Sequence, residues 1–524
     1  MEHETDENVH ECIEEFSDFA LTEYERPKQE WLSTKTRGSM DIDSIPPADI
    51  AEWFLDDSGL RSGEQHLLIR FWKEDFYKFN GRKWNLFSGK ELLVIINKYL
   101  QQDDLRPLAG TNRVEEIVKN LKAIVFIPAI IEPPVMFPLY GEHESLGGYV
   151  LAKNGIVDIK TRFDACLDHQ LTPYGPETFV LSTINANYDP EATCPIWDEF
   201  LARVQPDPAH RDLLQEIAGL LLVHDISFQR FFLFEGDGAT GKTTFLNGIK
   251  ALLGQDSFSA VPLEAFSASR TFPLFNMFGK LANIIEDMSE IDRAEEGMLK
   301  TIVDGGDITA ERKYKDPVTF KPTARLVFAT NVLPRFSDRT NALWRRLIYV
   351  PFRQVIPKEE QNRKFAGLDF WEKSGELSGI LNWALVGLRR LVDRGNFKEP
   401  PECRSACEGY KGDGNPAAEY LETHVVEGPE RRVSSTELYQ GYYGWSTEEG
   451  HKPLGGTKFA TEVKRRFPSV QKSKHAVWLL GGKRARMWEG ISLVEKHIRL
   501  GFFNEQNPEQ KNQNAPDIKE DKDN

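Results

Sequence analysis

The sequence predicts an α/β fold: one large core of alternating helices and apolar strands, an α+β region before it, and a smaller basic module after it. Three observations predict this. From Trp197 to Phe352 short apolar runs alternate with helical patterns, as a sheet with crossover helices requires. In residues 67–84 (LLIRFWKEDFYKFNGRKW) the aromatics instead follow the two-residue period of strands, and Asn80-Gly81 supplies a hairpin turn. Residues 451–488 gather Lys452, Lys458, Lys464, Arg465, Arg466, Lys472, Lys474, Lys483, Arg484 and Arg486 against the single acid Glu462.

The 524 residues exceed one ordinary core, since domains run to about 100–200 residues. Residues 1–45 are polar and acidic and read as a flexible arm. An α+β region follows over 46–195, with amphipathic helices expected at 91–100 and 114–124 and a second turn-and-strand signal at Asn154-Gly155. The core occupies 196–356, a Leu- and Trp-rich helical extension 357–410, a linker 410–415, the basic module 415–500, and a disordered polar tail 504–524.

Composition removes several classes. The first twenty residues hold eight acids and no Lys or Arg, the reverse of a secretion signal. No apolar run approaches the ~18 residues of a membrane span, so the expected location is the cytoplasm, without membrane partners. Cys403 and Cys407 have no second Cys/His pair nearby, so reduced thiols are expected rather than zinc. The net charge of −16 disfavours a uniformly nucleic-acid-coated protein, but the basic module shows the charge to be uneven.

The most specific motif begins after the apolar run 231–235. It reads Gly236, Asp237, Gly238, Ala239, Thr240, Gly241, Lys242, Thr243, with Thr244 next, and a helical run continues to Leu253. This is G-x-x-x-x-G-K-[ST] in a strand–loop–helix setting, which cradles phosphates on backbone N–H groups. Lys242 is expected to neutralise the β- and γ-phosphates of ATP, and Thr243 to ligate Mg²⁺. A second apolar run, 281–285, ends in Glu286-Asp287. Acids at the tip of a strand beside the phosphate-loop strand supply a water-activating base and a metal-side acid. Glu286 is preferred as base and Asp287 as the Mg²⁺ side, although the two roles can exchange. A third run, 325–330, ends in Asn331, suited to sensing the γ-phosphate. Then come Arg345 and Arg346; an arginine donated across a subunit boundary stabilises phosphoryl transfer, with Arg346 the first choice and Arg345 the second.

This ordered set resembles the superfamily 3 helicases, ring-forming members of the AAA+ class found in viruses, phages and plasmids. The resemblance spans residues 231–352. It implies an AAA+ core, a homo-hexameric ring, ATP bound between subunits, and 3′ to 5′ movement on single-stranded or forked DNA. The segment ITAERKYKDPVTFKP (308–322) is similar to the family's DNA-contacting hairpin, so Lys313, Tyr314 and Lys315 are the implied DNA contacts. More weakly, 76–84, 153–159 and 188–200 look like the region before the motor in phage and plasmid primase–helicases and their poxvirus relatives. Residues 437–493 look like the winged-helix domain that follows it, with 457–467 as recognition helix. Lys458, Lys464, Arg465 and Arg466 then face DNA phosphates, and 483–486 lies near the wing.

The implied function is an ATP-dependent DNA helicase in replication of a phage, plasmid or mobile element. About 45 polar residues before the first folded segment are too few for a primase domain, so a separate primase or polymerase is the expected partner. The alternative is an ATP-switched DNA-binding initiator or regulator that separates no strands. A small-molecule P-loop kinase leaves the hairpin lysines and the basic module without a purpose.

Overall fold

A computed structural model describes residues 45–494, apart from 64–65, 103–104, 107–109, 138–142, 160–170, 267–270, 289–295, 335, 337–340, 414–415, 450–452, 474–476 and 479–483. The acidic arm, the polar tail, Lys452, Lys474 and Lys483 lie outside the described residues. The chain divides into two compact units, Met1–Pro334 with Arg345–Arg404, and Arg335–Trp344 with Ser405–Asn524.

The first unit opens with helix α1 (Pro47–Asp57) and an antiparallel sheet of β1 (Ile69–Trp72), β2 (Asp75–Phe79) and β3 (Trp84–Phe87). The aromatic alternation therefore covers three strands and two turns. Asn80-Gly81 makes the expected second turn: Gly81 has φ 90°, and the Asn80 carboxamide accepts the N–H groups of Arg82 and Lys83. The first turn, Lys73-Glu74, carries no sequence signal. Both residues sit at positive φ, 46° and 66°, where non-glycine residues are uncommon. Helices α2 (Gly89–Leu100) and α3 (Thr111–Ile124) follow, close to the expected spans, and bury Leu92, Ile96, Ile117 and Leu121 against α1 and the sheet. A short hairpin, β4 (Val150–Ala152) and β5 (Gly155–Val157), meets the Asn154-Gly155 expectation.

Helices α4 (Pro195–Val204) and α5 (Pro208–Leu220) lead into the central sheet. In chain order it consists of β6 (Phe231–Glu235), β7 (Phe258–Ser259), β8 (Ala282–Ile285), β11 (Arg325–Thr330) and β12 (Leu347–Pro351), after a hairpin of β9 (Ile308–Arg312) and β10 (Lys315–Phe320). Every pairing in the five-stranded sheet is parallel, and the spatial order is β7-β8-β11-β6-β12. This corrects one expectation: the strand ending in Glu286-Asp287 is not beside the phosphate-loop strand, because β11 lies between them. Both faces are covered, so the strands read as unbroken apolar runs such as FFLF. Helix α6 (Lys242–Leu253) packs on one face through Gly248, where an added Cβ would lie 2.2 Å from the Trp197 ring. Trp197 stacks on Phe245 of the same helix at 5.5 Å.

Helix α7 (Glu296–Val303) precedes the hairpin, and α8 (Leu377–Arg394) crosses α5 at close range. Gly219 and Gly387 make that crossing possible: a Cβ on either would lie 2.5 Å or less from a backbone atom of the other helix. The crossing also buries Glu216, which accepts from Arg390 and Arg394. Helix α9 (Pro401–Asp413) runs through most of the stretch expected to be a linker at 410–415, a correction. Tyr410 explains it, being buried against Phe336 and Trp344.

The second unit continues with α10 (Pro416–His424), β13 (Val425–Ser434), α11 (Ser435–Glu448), α12 (Gly456–Arg466), β14 (Gln471–Lys472) and β15 (Met487–Leu493). Its antiparallel sheet has the order β13-β15-β14. Ser434 caps α11 by accepting the Glu437 N–H at 3.0 Å. The core is aromatic, with Tyr442 stacked on Phe459 at 4.4 Å above Trp488 and Ile491.

Candidate active site and nucleic-acid interface

The loop from Gly236 to Gly241 leaves the end of β6 and reverses into α6. Gly236 faces the Phe352 carbonyl, where a Cβ would lie 2.2 Å from the oxygen. The reversal needs left-handed backbone at Ala239 (φ 63°) and Gly241 (φ 88°). Thr240 ties the turn by donating to the Asp237 carbonyl at 2.9 Å. Asp237, Gly238 and Ala239 are exposed, and a Cβ on Gly238 would meet nothing within 4 Å. Gly241 is constrained twice, since a Cβ there would also lie 2.5 Å from the Val204 side chain. Gly241→Ala is expected to cost about 2–4 kcal/mol in urea unfolding, from left-handed strain plus overpacking; a loss under about 0.5 kcal/mol would contradict this conformation.

Lys242 opens α6 and is 6% exposed. Its amine donates to the carbonyls of Gly236 and Asp237, to the Thr240 hydroxyl at 3.3 Å, and to the Asn331 carboxamide oxygen at 3.0 Å. Burial pushes the amine below the usual lysine range, against the opposing charges of Glu235, Asp237 and Asp287. Thr243 is exposed at the mouth of the helix and Thr244 half-buried beside it. Asn331, at the end of β11, thus meets the loop directly, because β11 is the neighbour of β6.

One strand further out, Asp287 is exposed, and its charge acts on the Lys242 amine. Glu286 is half-buried and held by Lys250 at 2.6 Å. Lys250 lies two turns beyond Lys242 on α6, with its ammonium 5.4 Å from the Phe258 ring centre. Its part in the site was not foreseen, because a lysine late in a helix looks like solvated surface. Glu235 was missed too. It ends β6 and accepts from Tyr349 at 2.7 Å and Arg353 at 2.6 Å.

The two arginines separate. Arg346 is 7% exposed and grips Asp304 with two parallel bonds, Nε to Oδ1 at 2.7 Å and Nη2 to Oδ2 at 2.6 Å. Arg345 is exposed. The first-choice arginine is therefore engaged inside its own chain, and the second is the accessible one.

The β9–β10 hairpin closes on Lys313-Tyr314, with Arg312 opposite Lys315. Tyr314 has φ 60° and is 94% exposed, and the Lys313 ammonium sits 5.2 Å from its ring centre. Lys315 is ion-paired with Asp75.

Comparison with known proteins adds kinship. A family described as "D5 N terminal like" matches residues 69–206, and a family of unknown function, DUF5906, matches 234–346. A protein of Acanthamoeba polyphaga mimivirus, named as a helicase, is 24% identical over 453 residues, covering 76% of this chain and 46% of its own length. A helicase-named protein of Invertebrate iridescent virus 6 is 24% identical over 194 residues, covering 32% of this chain and 20% of its own. This chain has viral helicase-named relatives. The D5-like match falls on the α+β region that precedes the central sheet. The chain spans less than half the length of these relatives. Among solved structures, the apo C-terminal region of NrS-1 is similar at TM-score 0.47 and 11% identity, over 85% of this chain and 100% of that one. The D5-like match runs from the three-stranded sheet through α4, and the DUF5906 match contains the loop, Asn331 and both arginines.

In the second unit, α12 buries Phe459 and Val463 and exposes Lys458, Lys464, Arg465 and Arg466. Arg465 lies 3.7 Å from Glu462, and Arg466 3.7 Å from Glu422. Lys472 on β14 joins them: burial pushes its ammonium down, and the nearby positive charges of Arg486 and Lys464 push it further. Lys464 on α12, Lys472 on β14 and Arg486 just before β15 thus form one positively charged neighbourhood, suited to phosphates. No helix among the described residues is long and apolar enough to cross a membrane.

Proposed function

We propose that the chain is an ATP-dependent DNA helicase of the superfamily 3, AAA+ type, working as a ring in replication of a phage, plasmid or mobile element. The observation that carries this is the Lys242–Asn331 hydrogen bond, which joins the phosphate loop to a strand end 89 residues away. The strand order β7-β8-β11-β6-β12, with polar residues at the ends of β6, β8 and β11, supports an ATP-hydrolysing core. The helix–strand–helix–helix–strand–strand order from α10 to β15, with a short hairpin of Val477–Trp478 and Arg484–Ala485 between the last two strands, supports a winged-helix domain.

In this reading the loop N–H groups and Lys242 bind the phosphates of ATP, the Lys242 amine exchanging its loop carbonyls for phosphate oxygens. Thr243 is exposed at the loop and Asp287 is exposed with its charge acting on the Lys242 amine, so their oxygen donors fit a Mg²⁺ ion. When bound, Mg²⁺ neutralises charge on the phosphates. Glu286 accepts the proton of the attacking water, which requires its ion pair with Lys250 to open. Asn331 orients that water or the terminal phosphate. Arg345, being exposed, is the arginine offered to the neighbouring subunit. The Lys313-Tyr314 tip follows single-stranded DNA through the ring, and Lys458, Lys464, Arg465 and Arg466 grip duplex phosphates.

Forked-DNA strand displacement with the purified oligomer tests the proposal. Unwinding that requires ATP is expected; DNA-stimulated hydrolysis without strand separation would overturn it. The Lys250–Glu286 pair also favours a second reading, an ATP-switched initiator in which hydrolysis is dispensable. Glu286→Gln discriminates: a helicase is expected to lose about 10²–10⁴ in turnover and all unwinding, whereas an initiator keeps DNA binding and assembly with its function intact.

A further inference from the structure

The β9–β10 hairpin is not a free arm. Its two strands carry Arg312 and Lys315 as directly opposed partners. Like charges in that position repel and spread a hairpin. One buried carboxylate counters them: Asp75, 7% exposed at its side chain, pairs with Arg312 through one oxygen and Lys315 through the other. Asp75 begins β2 of the N-terminal sheet, 237 residues before Arg312. Arg312 is fixed further by donating to the Asp316 carbonyl at 2.9 Å, and its guanidinium lies 5.9 Å from the Phe275 ring centre.

The same N-terminal turn makes a second attachment. Lys73, in left-handed backbone, pairs with Glu132 and donates to the Thr319 carbonyl on β10 at 2.7 Å. A third contact lies at the foot, where Phe278 meets Phe320 edge-on at 5.0 Å. The attachments leave only Lys313 and Tyr314 beyond the clasp. Lys315, half-exposed, has its charge committed to Asp75.

We propose that Asp75 is a positioning residue for nucleic-acid engagement: it locks the β9–β10 hairpin to the N-terminal sheet, so that the Lys313-Tyr314 tip moves with that sheet rather than as an independent lever. This rests on the reading of the tip as a single-stranded DNA contact. Among the described residues, the side-chain hydrogen bonds and ion pairs of Lys73, Asp75, Arg312 and Lys315 go to Glu132, Thr319, Asp316 and one another rather than to the phosphate loop or Asn331, so losing the clasp separates DNA engagement from nucleotide chemistry.

The test compares the full chain with Asp75→Asn, Asp75→Glu and Lys313→Ala. Four quantities are read: affinity for a fluorescent oligo-dT strand, ATP hydrolysis without DNA, its stimulation by that strand, and the rate of tryptic cleavage at Arg312, Lys313 and Lys315. Asp75→Asn is expected to weaken oligo-dT binding about tenfold, to abolish most of the stimulation and to speed cleavage about tenfold. Hydrolysis without DNA stays near the wild-type value, and Asp75→Glu restores binding and stimulation in part. Should Asp75→Asn prove poorly folded, Asp75→Asn combined with Arg312→Gln removes one of the two opposed cations and is expected to recover resistance to trypsin. Lys313→Ala weakened while both Asp75→Asn and the double variant bind and resist trypsin like wild type overturns the positioning role and leaves the DNA-contact reading standing. Wild-type binding by Lys313→Ala overturns that reading and the inference with it. Loss of DNA-free hydrolysis in step with binding makes Asp75 a general fold residue and also overturns the proposal.

Discussion

Lys242→Ala is expected to abolish nucleotide turnover, with at least about a 10²–10³ fall in kcat, the loss that follows removal of one preorganised donor from a phosphoryl- or acyl-transfer site. The expectation follows from where the amine sits. It is 6% exposed, at the first position of α6, and bonded at once to the Gly236 and Asp237 carbonyls and to Asn331. No other lysine is bonded to this loop among the described residues, and the charges around it, Glu235, Asp237 and Asp287, are all negative. Without the ammonium, an incoming triphosphate meets the carboxylates of Glu235, Asp237 and Asp287, with Arg353 already committed to Glu235. Lys242→Arg is expected to rescue little, because a planar fork does not fit where a point charge with rotatable donors makes its bonds. Phosphate release and binding of a fluorescent ATP analogue measure both variants. Turnover above a tenth of wild type in Lys242→Ala would remove the loop from the chemistry.

What could be read from the residues alone, and what could not, follows from the range of each interaction. The phosphate loop is contiguous, so its motif was visible without a partner; Gly241 is required by local left-handed backbone, whereas Gly236 answers to the distant Phe352 carbonyl. Strand ends were visible too, since FFLFE, ANII and RLVFAT each stop at a polar residue. The order of those strands was not. Parallel neighbours are joined by crossovers, and nothing in ANII says that RLVFAT will insert between it and FFLFE. The Lys73-Glu74 turn escaped because turn signals are Gly, Asn and Asp, and here tertiary contacts to Glu132 and Thr319 hold two other residues in left-handed backbone. Ion-pair partners escaped for a similar reason. Asp75 and Asp304 find their arginines 237 and 42 residues away, and a buried arginine looks in sequence like an exposed one.

That last point produces the sharpest prediction, because adjacent residues of one type are expected to fail in different ways. Arg346 holds Asp304 in a two-bond fork just before β12, and Asp304 is itself about a third exposed. Breaking a buried pair by removing one partner costs about 3–5 kcal/mol, and solvent at Asp304 reduces this, so Arg346→Ala is expected to lose about 2–3 kcal/mol in urea unfolding. Arg345 is exposed, and Arg345→Ala is expected to change stability by less than about 0.5 kcal/mol. Its effect falls on turnover instead, by about 10³ if its guanidinium reaches a neighbour's terminal phosphate. Mixing distinguishes a trans arginine from a cis one. Arg345→Ala subunits keep an intact phosphate loop, and Lys242→Ala subunits keep an intact arginine. An interface between one of each therefore holds a complete site, and the mixture is expected to hydrolyse ATP where neither parent does. An inactive mixture, together with an Arg346→Ala variant that stays folded and loses turnover, would transfer the role back to Arg346 and require its bond to Asp304 to open during assembly.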